Sequence, residues 1–209
     1  ALVEDKEIEW NRVNAYHMDE YIGLDKDAPQ GFGNFLKRHI FGLIPLKSVN
    51  YIDCTTQNPE EECVRYGKLL TEHKPDIVVM GIGENAHIAF NAPPADFDTK
   101  EAYIVVNLND TCKNQQGGEG WFATIDDVPK QAVSMTTYQI MQCERIVSCV
   151  PYAVKANAVR DTLENDKTNL IPATIMKGHK DFALFVDEDS FSKVDESKIR
   201  PAEGMSYTV

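Results

Sequence analysis

"PDIVVMGIGENAH" (residues 75–87) is the stretch on which the fold turns. A short apolar run, bounded by Pro75 on one side and Gly81 on the other, passes directly into a glycine-opened loop. Turn signals at both ends of such a run are the mark of a strand buried in a sheet. The loop carries Glu84, Asn85 and His87, side chains able to take, give or orient a proton. The strand therefore predicts architecture, and the loop at its carboxyl end predicts chemistry.

The flanking segments repeat the same alternation. Upstream, "PEEECVRYGKLLTEH" (59–73) opens with proline and acids, as a first helical turn prefers. It places Cys63, Tyr66 and Leu70 on one face. "SVNYID" (48–53) and "RVNAY" (12–16) read as strands, and "GFGNFLKRHIF" (31–41) has helical spacing. Downstream, "EAYIVVNL" (101–108), "AVSMT" (132–136), "RIVSCV" (145–150) and "FALFVDE" (182–188) read as strands. "TYQIMQ" (137–142), "YAVKANAVRDTL" (152–163) and "IPATIMKGH" (171–179) read as helices, and "KNQQGGEGWFATIDD" (113–127) as irregular. Strands alternating with helices predict an α/β fold with a mostly parallel sheet. Ligands in such folds lie beyond the carboxyl ends of the strands. The segments "HMDE" (17–20), "GIGENAH" (81–87) and the loop after "RIVSCV" all follow strands.

Size and composition narrow the field. A chain of 209 residues suits one large domain, with 43% apolar and 26% charged residues as in ordinary globular proteins. The formal net charge of −12 argues against a broad nucleic-acid surface, which needs clustered Lys and Arg. A small anionic substrate stays open, because one basic side chain and a helix N-terminus can make a locally positive pocket. No apolar run approaches the length of a membrane span, and no secretory pattern opens the chain. The five cysteines lack CxxC spacing, so neither a disulfide framework nor a zinc site is expected. Reduced thiols fit a cytoplasmic location.

Three groups of side chains could carry chemistry. Asp19 and Glu20 follow a strand and could serve as acid or base, or simply form a solvated acidic turn. His87 could shuttle a proton with Asn85 fixing its tautomer by accepting from Nδ1, or be a loop histidine bonded to backbone. Lys155, early in a predicted helix, could join the helix N-terminus in holding a phosphate, or be an ordinary exposed lysine.

The stretches "HMDEYIGL" (17–24) and "GIGENAHIAFNAP" (81–93) closely resemble the glucosamine-6-phosphate deaminase/isomerase family. That family shows M-D-E-Y-x-G-L followed by G-I-G-x-x-G-H-I-A-F-N-x-P. "VPKQAVSMT" (128–136), "KANAV" (155–159), "IPATIMKGH" and "LFVDE" fall where the family has its later elements, so the resemblance spans nearly the whole chain. It implies a Rossmann-like three-layer α/β sandwich. It also implies a phosphorylated amino sugar as substrate, glucosamine 6-phosphate becoming fructose 6-phosphate and ammonium with no metal or organic cofactor. By carry-over, Asp19 is the base at C2, His87 assists ring opening with Asn85, and Lys155 binds the phosphate. Glu20, Gly83 and Ala86 would line the substrate site. Family members commonly assemble as homo-oligomers.

The chain departs from the family pattern at identifiable positions. Asn85 stands where the main branch has aspartate, although a divergent branch reads G-E-N-G-H. Ala86 replaces a glycine, which matters if the site needs a positive φ. Ala92 replaces a carboxylate, for which Glu84 is the candidate substitute. The phosphate-clamping arginine has no counterpart, and Lys113 offers the positive charge in that region. The family's first strand and phosphate loop precede "HMDEY"; nothing here corresponds, so the single domain over 1–209 is expected to lack its first strand–helix unit. Two other readings stand beside the enzyme: a sugar-phosphate-binding protein with little turnover, and a 6-phosphogluconolactonase-like hydrolase, which "MDEYIGL" and "HIAFN" disfavour.

Overall fold

In the computed structural model, which describes residues 2–108, 122 and 124–200, helices and strands alternate much as the sequence predicts. The parallel core is the clearest case. Strands β4 (Ile77–Met80), β7 (Arg145–Val150) and β8 (Phe182–Val186) form a three-stranded sheet in the order β4-β7-β8. Both pairings are parallel, with Met80 opposite Ser148 and Val150 opposite Val186. Parallel neighbours send their chains off the sheet at the same edge, so the loops after β4 and β7 start side by side.

Two further sheets are present among the described residues. Strands β1 (Asn14–Ala15) and β3 (Ser48–Val49) pair in parallel. Strands β2 (Asp19–Ile22), β6 (Gln131–Met135) and β5 (Tyr103–Asn107) make a sheet in the order β2-β6-β5, with β2 and β6 antiparallel. The polar cluster "HMDE" thus ends inside a strand rather than in a loop, with Asp19 opposite Ser134.

Helix α2 (Pro59–Glu72) follows the predicted bounds, with Glu60, Glu61 and Glu62 in its first turn. Carboxylates there complement the positive end of the helix dipole. Cys63, Tyr66 and Leu70 are all buried, as their shared face requires. Helix α1 (Phe32–Leu36) continues into a wider π-helical turn over Lys37–Phe41. Helix α3 (Thr137–Ile140) is capped by Thr136, whose side chain accepts from the Gln139 amide at 3.1 Å. Helix α4 (Ala156–Glu164) is preceded by a 3-10 turn at Ala153–Lys155, and helix α5 (Glu188–Phe191) is capped by Asp187.

The chain divides into two compact units, each built from two stretches of sequence. The first comprises Ala1–Tyr66 and Tyr103–Ser134, around buried Tyr21, Tyr66, Tyr103, Ala132 and Val133. The second comprises Gly67–Ala102 and Met135–Val209, around buried Ile88, Ile140, Ile146, Val159 and Met176. One face of the second unit's parallel sheet stays open: Ile77 is 58% exposed, Val79 68% and Phe185 58%. The strand at 75–83, predicted as buried, is therefore covered on one side only.

Candidate active site

In the second unit, a tight loop after β4 sets His87. The Gly83 amide donates to the His87 carbonyl at 2.9 Å, and the Ala86 amide donates to the Gly83 carbonyl at 2.9 Å. The Ala86 carbonyl in turn accepts from the Ala173 amide at 3.0 Å. This turn forces Ala86 to φ 61, in the left-handed region where glycine is at ease and alanine is strained. The imidazole of His87 folds back onto Gly83. A β-carbon there would stand 2.0 Å from His87 Cε1 and 2.2 Å from Nδ1, so any other residue at 83 would displace the ring. Gly83 and Ala86, expected to contact substrate, have these main-chain groups committed to the loop itself.

The tautomer of His87 follows from its neighbours. Asn85 Oδ1 lies 2.6 Å from His87 Nδ1 and also receives the His87 amide at 3.3 Å. An atom that accepts a backbone N–H is the amide oxygen, so Nδ1 carries the proton and Nε2 keeps its lone pair. Burial, and after it the charge of Lys155, push the imidazole down to about 4. His87 is therefore neutral at ordinary pH, with Nε2 free to accept a proton. Lys155 is half-buried at the start of α4, and its amide donates to the Tyr152 carbonyl at 3.0 Å. Glu84 is exposed beside this loop.

Tyr152 is a residue that sequence reasoning passed over. It sits at φ 80 and ψ 144, a conformation close to glycine-only, and the residue is 68% exposed. Its amide donates to both carboxylate oxygens of Asp187, at 3.2 and 2.9 Å. Asp187 also accepts from the Ser190 amide at 2.8 Å, and these bonds hold its carboxyl below the usual range. The loop that carries Lys155 is thus clamped to the end of β8. An acid directly after a strand and before a short helix was the available signal for the cap.

In the first unit, Asp19 opens β2. Its side chain is half-buried, and among the described residues it has no hydrogen-bond partner. Desolvation, and after it the charge of Glu20, push it up to about 7. Glu20, expected to contact substrate, is instead 3% exposed and holds the chain together. Its carboxylate accepts from the amides of Tyr21 (2.9 Å), Phe32 (3.0 Å) and Gly33 (2.8 Å), which fixes the entry to α1. Three donors and near-complete burial leave it little reach for a ligand. Lys113 lies outside the described residues.

Among the described residues no group of three or more His, Cys, Asp or Glu side chains could hold a metal ion, and no helix is long and apolar enough to cross a membrane. Four of the cysteines, Cys54, Cys63, Cys143 and Cys149, are free thiols.

Parallel strands with ionisable groups in the loops at their carboxyl ends define the class: a Rossmann-like α/β protein, in which such loops are where small ligands bind. Comparison with known proteins makes this specific. Residues 1–184 match the family described as glucosamine-6-phosphate isomerases/6-phosphogluconolactonase, and the chain belongs to that family of enzymes. A glucosamine-6-phosphate deaminase of Exiguobacterium sibiricum is 34% identical over 192 residues, 91% of this chain and 75% of the relative. One from Streptococcus sanguinis is 30% identical over 190 residues, 91% of this chain and 79% of the relative. Among solved structures, a monomeric glucosamine-6-phosphate deaminase superposes with a TM-score of 0.77 at 31% identity, covering 84% of this chain and 73% of that one. A 6-phosphogluconolactonase from Thermotoga maritima gives a TM-score of 0.70 at 17% identity, covering 88% and 77%, which is a likeness of fold.

Proposed function

We propose that this chain is a glucosamine-6-phosphate deaminase, converting glucosamine 6-phosphate and water to fructose 6-phosphate and ammonium. The observation that carries the reading is identity of 30–34% to deaminases over about nine-tenths of the chain, against 17% to the lactonase. The chemistry available at each residue supports the same choice. His87 Nε2, unprotonated and backed by the Asn85 bond, takes the proton of the anomeric hydroxyl as the ring opens. Asp19 then removes the C2 proton and returns it at C1. Water adds at C2, and ammonia leaves as ammonium. Lys155 at the start of α4 receives the phosphate. Glu84 stands in for the carboxylate lacking at Ala92, and Lys113 adds positive charge for the phosphate. A cytoplasmic location belongs to the same proposal. So does a homo-oligomer, which rests on the family resemblance, whereas the solved relative is described as monomeric.

Ala92 favours a second reading, a sugar-phosphate-binding protein with little turnover, since losing a catalytic carboxylate costs about 10²–10⁴ in rate. Proton NMR of glucosamine 6-phosphate in D₂O separates the two. Loss of the C2–H signal together with the appearance of fructose 6-phosphate is the expected result. An unchanged C2–H signal with saturable binding would overturn the enzyme reading. In the same assay Glu84→Gln should slow turnover; an unchanged rate removes Glu84 from the mechanism.

A further inference from the structure

Asp19 has an acid–base role in the proposed function, but among the described residues nothing hydrogen-bonds its side chain, so its placement there depends on its main chain. That main chain is held by a group the function has not used. His17 is buried, 4% exposed, two residues before Asp19. Its Nε2 accepts from the Ile52 amide at 2.9 Å. An amide can only donate, so Nε2 is unprotonated and Nδ1 bears the hydrogen. Nδ1 therefore donates to the Asp19 carbonyl, 3.0 Å away. The main chain of His17 is fixed as well. Its amide donates to Tyr66 Oη at 3.0 Å, and its carbonyl accepts from Tyr103 Oη at 2.9 Å. Tyr66 Oη in turn donates to the Asn50 carbonyl at 2.6 Å. The imidazole is enclosed edge-on by the rings of Tyr51 and Tyr66, at centroid distances of 5.9 and 6.0 Å.

A histidine bonded at both ring nitrogens and at both main-chain groups has one orientation. We propose that His17 is a positioning residue for Asp19: its neutral imidazole fastens the Asp19 main-chain carbonyl to the segment after β3 and so sets where the Asp19 carboxylate stands. A merely structural histidine would join β1 to the chain after β3 and leave Asp19 alone. Here one of the two ring bonds ends on Asp19 itself. The inference rests on the proposed role of Asp19 as the C2 base. Displacing a catalytic group by about an ångström can cost on the order of 10² in rate, so a main-chain anchor of this kind has kinetic consequences.

Among the described residues, the ionisable groups facing Asp19 and His17 are Glu20 on β2, Tyr103 on β5, Tyr66 on α2 and Tyr51 after β3, with Cys63 behind Tyr103. The tyrosines and the thiol are pushed up by burial and stay neutral, so among the described residues it is the charge of Glu20 that bears on Asp19.

The test is His17→Phe, which keeps the ring and removes both of its hydrogen bonds, beside His17→Asn, which keeps a donor for the Asp19 carbonyl. Two readouts are taken on the intact chain: the carboxyl ¹³C titration of Asp19, which needs no turnover, and kcat and KM for C2 exchange. The Phe variant should move the Asp19 midpoint by about half a pH unit or more. It should also lower kcat by about 10- to 100-fold with KM within about threefold, and the Asn variant should recover most of that loss. A folded Phe variant with both the midpoint and kcat unchanged overturns the proposal. Should the Phe variant not fold, His17→Gln, which moves the donor off the carbonyl, is read by the same criteria. Absence of exchange in the unaltered chain would defeat the deaminase reading, while the titration would still decide the role of His17.

Discussion

Gly83 and His87 behave as one unit, because the imidazole occupies the space a side chain at 83 would need. Gly83→Ala should therefore displace the ring and lower kcat by about 10²-fold in a protein that still folds, as circular dichroism and steady-state kinetics would show. Ala86 and Tyr152 carry backbone strain, at φ 61 and φ 80. Relieving such strain gains about 1–2 kcal/mol, less the extra freedom glycine gives the unfolded chain. Ala86→Gly and Tyr152→Gly should each raise the melting temperature by a few degrees. Asp19→Asn should abolish C2 exchange and alter stability in a pH-dependent way. A carboxyl raised from 3.8 to about 7 by folding binds its proton more tightly in the folded chain. Wild-type stability from this group is thus full below pH 3.8 and is lost as pH rises towards 7. The Asn variant escapes that loss, so its advantage in urea denaturation should grow from near zero at pH 4 to at most roughly 4 kcal/mol at pH 8.

Helix α2 shows what periodicity can deliver. Its bounds and its buried face, with Tyr66 at 0% and Leu70 at 1% exposure, follow from proline, three acids and a 3.6-residue period. Leu70→Ala should cost about 2–5 kcal/mol in chemical denaturation, since the side chain is fully enclosed. Strand β2 shows the limit. "DEYI" has no strand-like alternation, and its two acids suggest a solvated turn. It is a strand because β6, distant in sequence, pairs with it, and because backbone amides from α1 satisfy the buried Glu20. The loop of residues 83–87 falls between these cases. Its glycines and polar residues announce a turn, but the left-handed Ala86 runs against the preference of alanine and is imposed by the bonds around it.

Across the molecule, the two groups given roles as base and ring opener are shifted in opposite senses. Asp19 acts as the carboxylate, so kcat/KM should rise with pH through an inflection at about 7. His87, held at about 4, should add no inflection between pH 5 and 8. Asn85→Asp would place a negative charge against Nδ1 and raise the imidazole, bringing a second inflection into that window. A pH–rate profile of the variant without the added inflection would show that Asn85 does not govern His87.

The alternation of short apolar runs with amphipathic helices was enough to specify an α/β chain with a mostly parallel sheet, because side-chain period and turn residues are local properties. The same local information placed His87 and Lys155 at the carboxyl ends of strands β4 and β7. Long-range bonds were needed for the rest. They turned Glu20 from a surface acid into a buried anchor, strained Tyr152 against Asp187 and enclosed His17 between two tyrosines. Each depends on a partner that the chain brings close only when it folds, and no pattern along the sequence records such a distance.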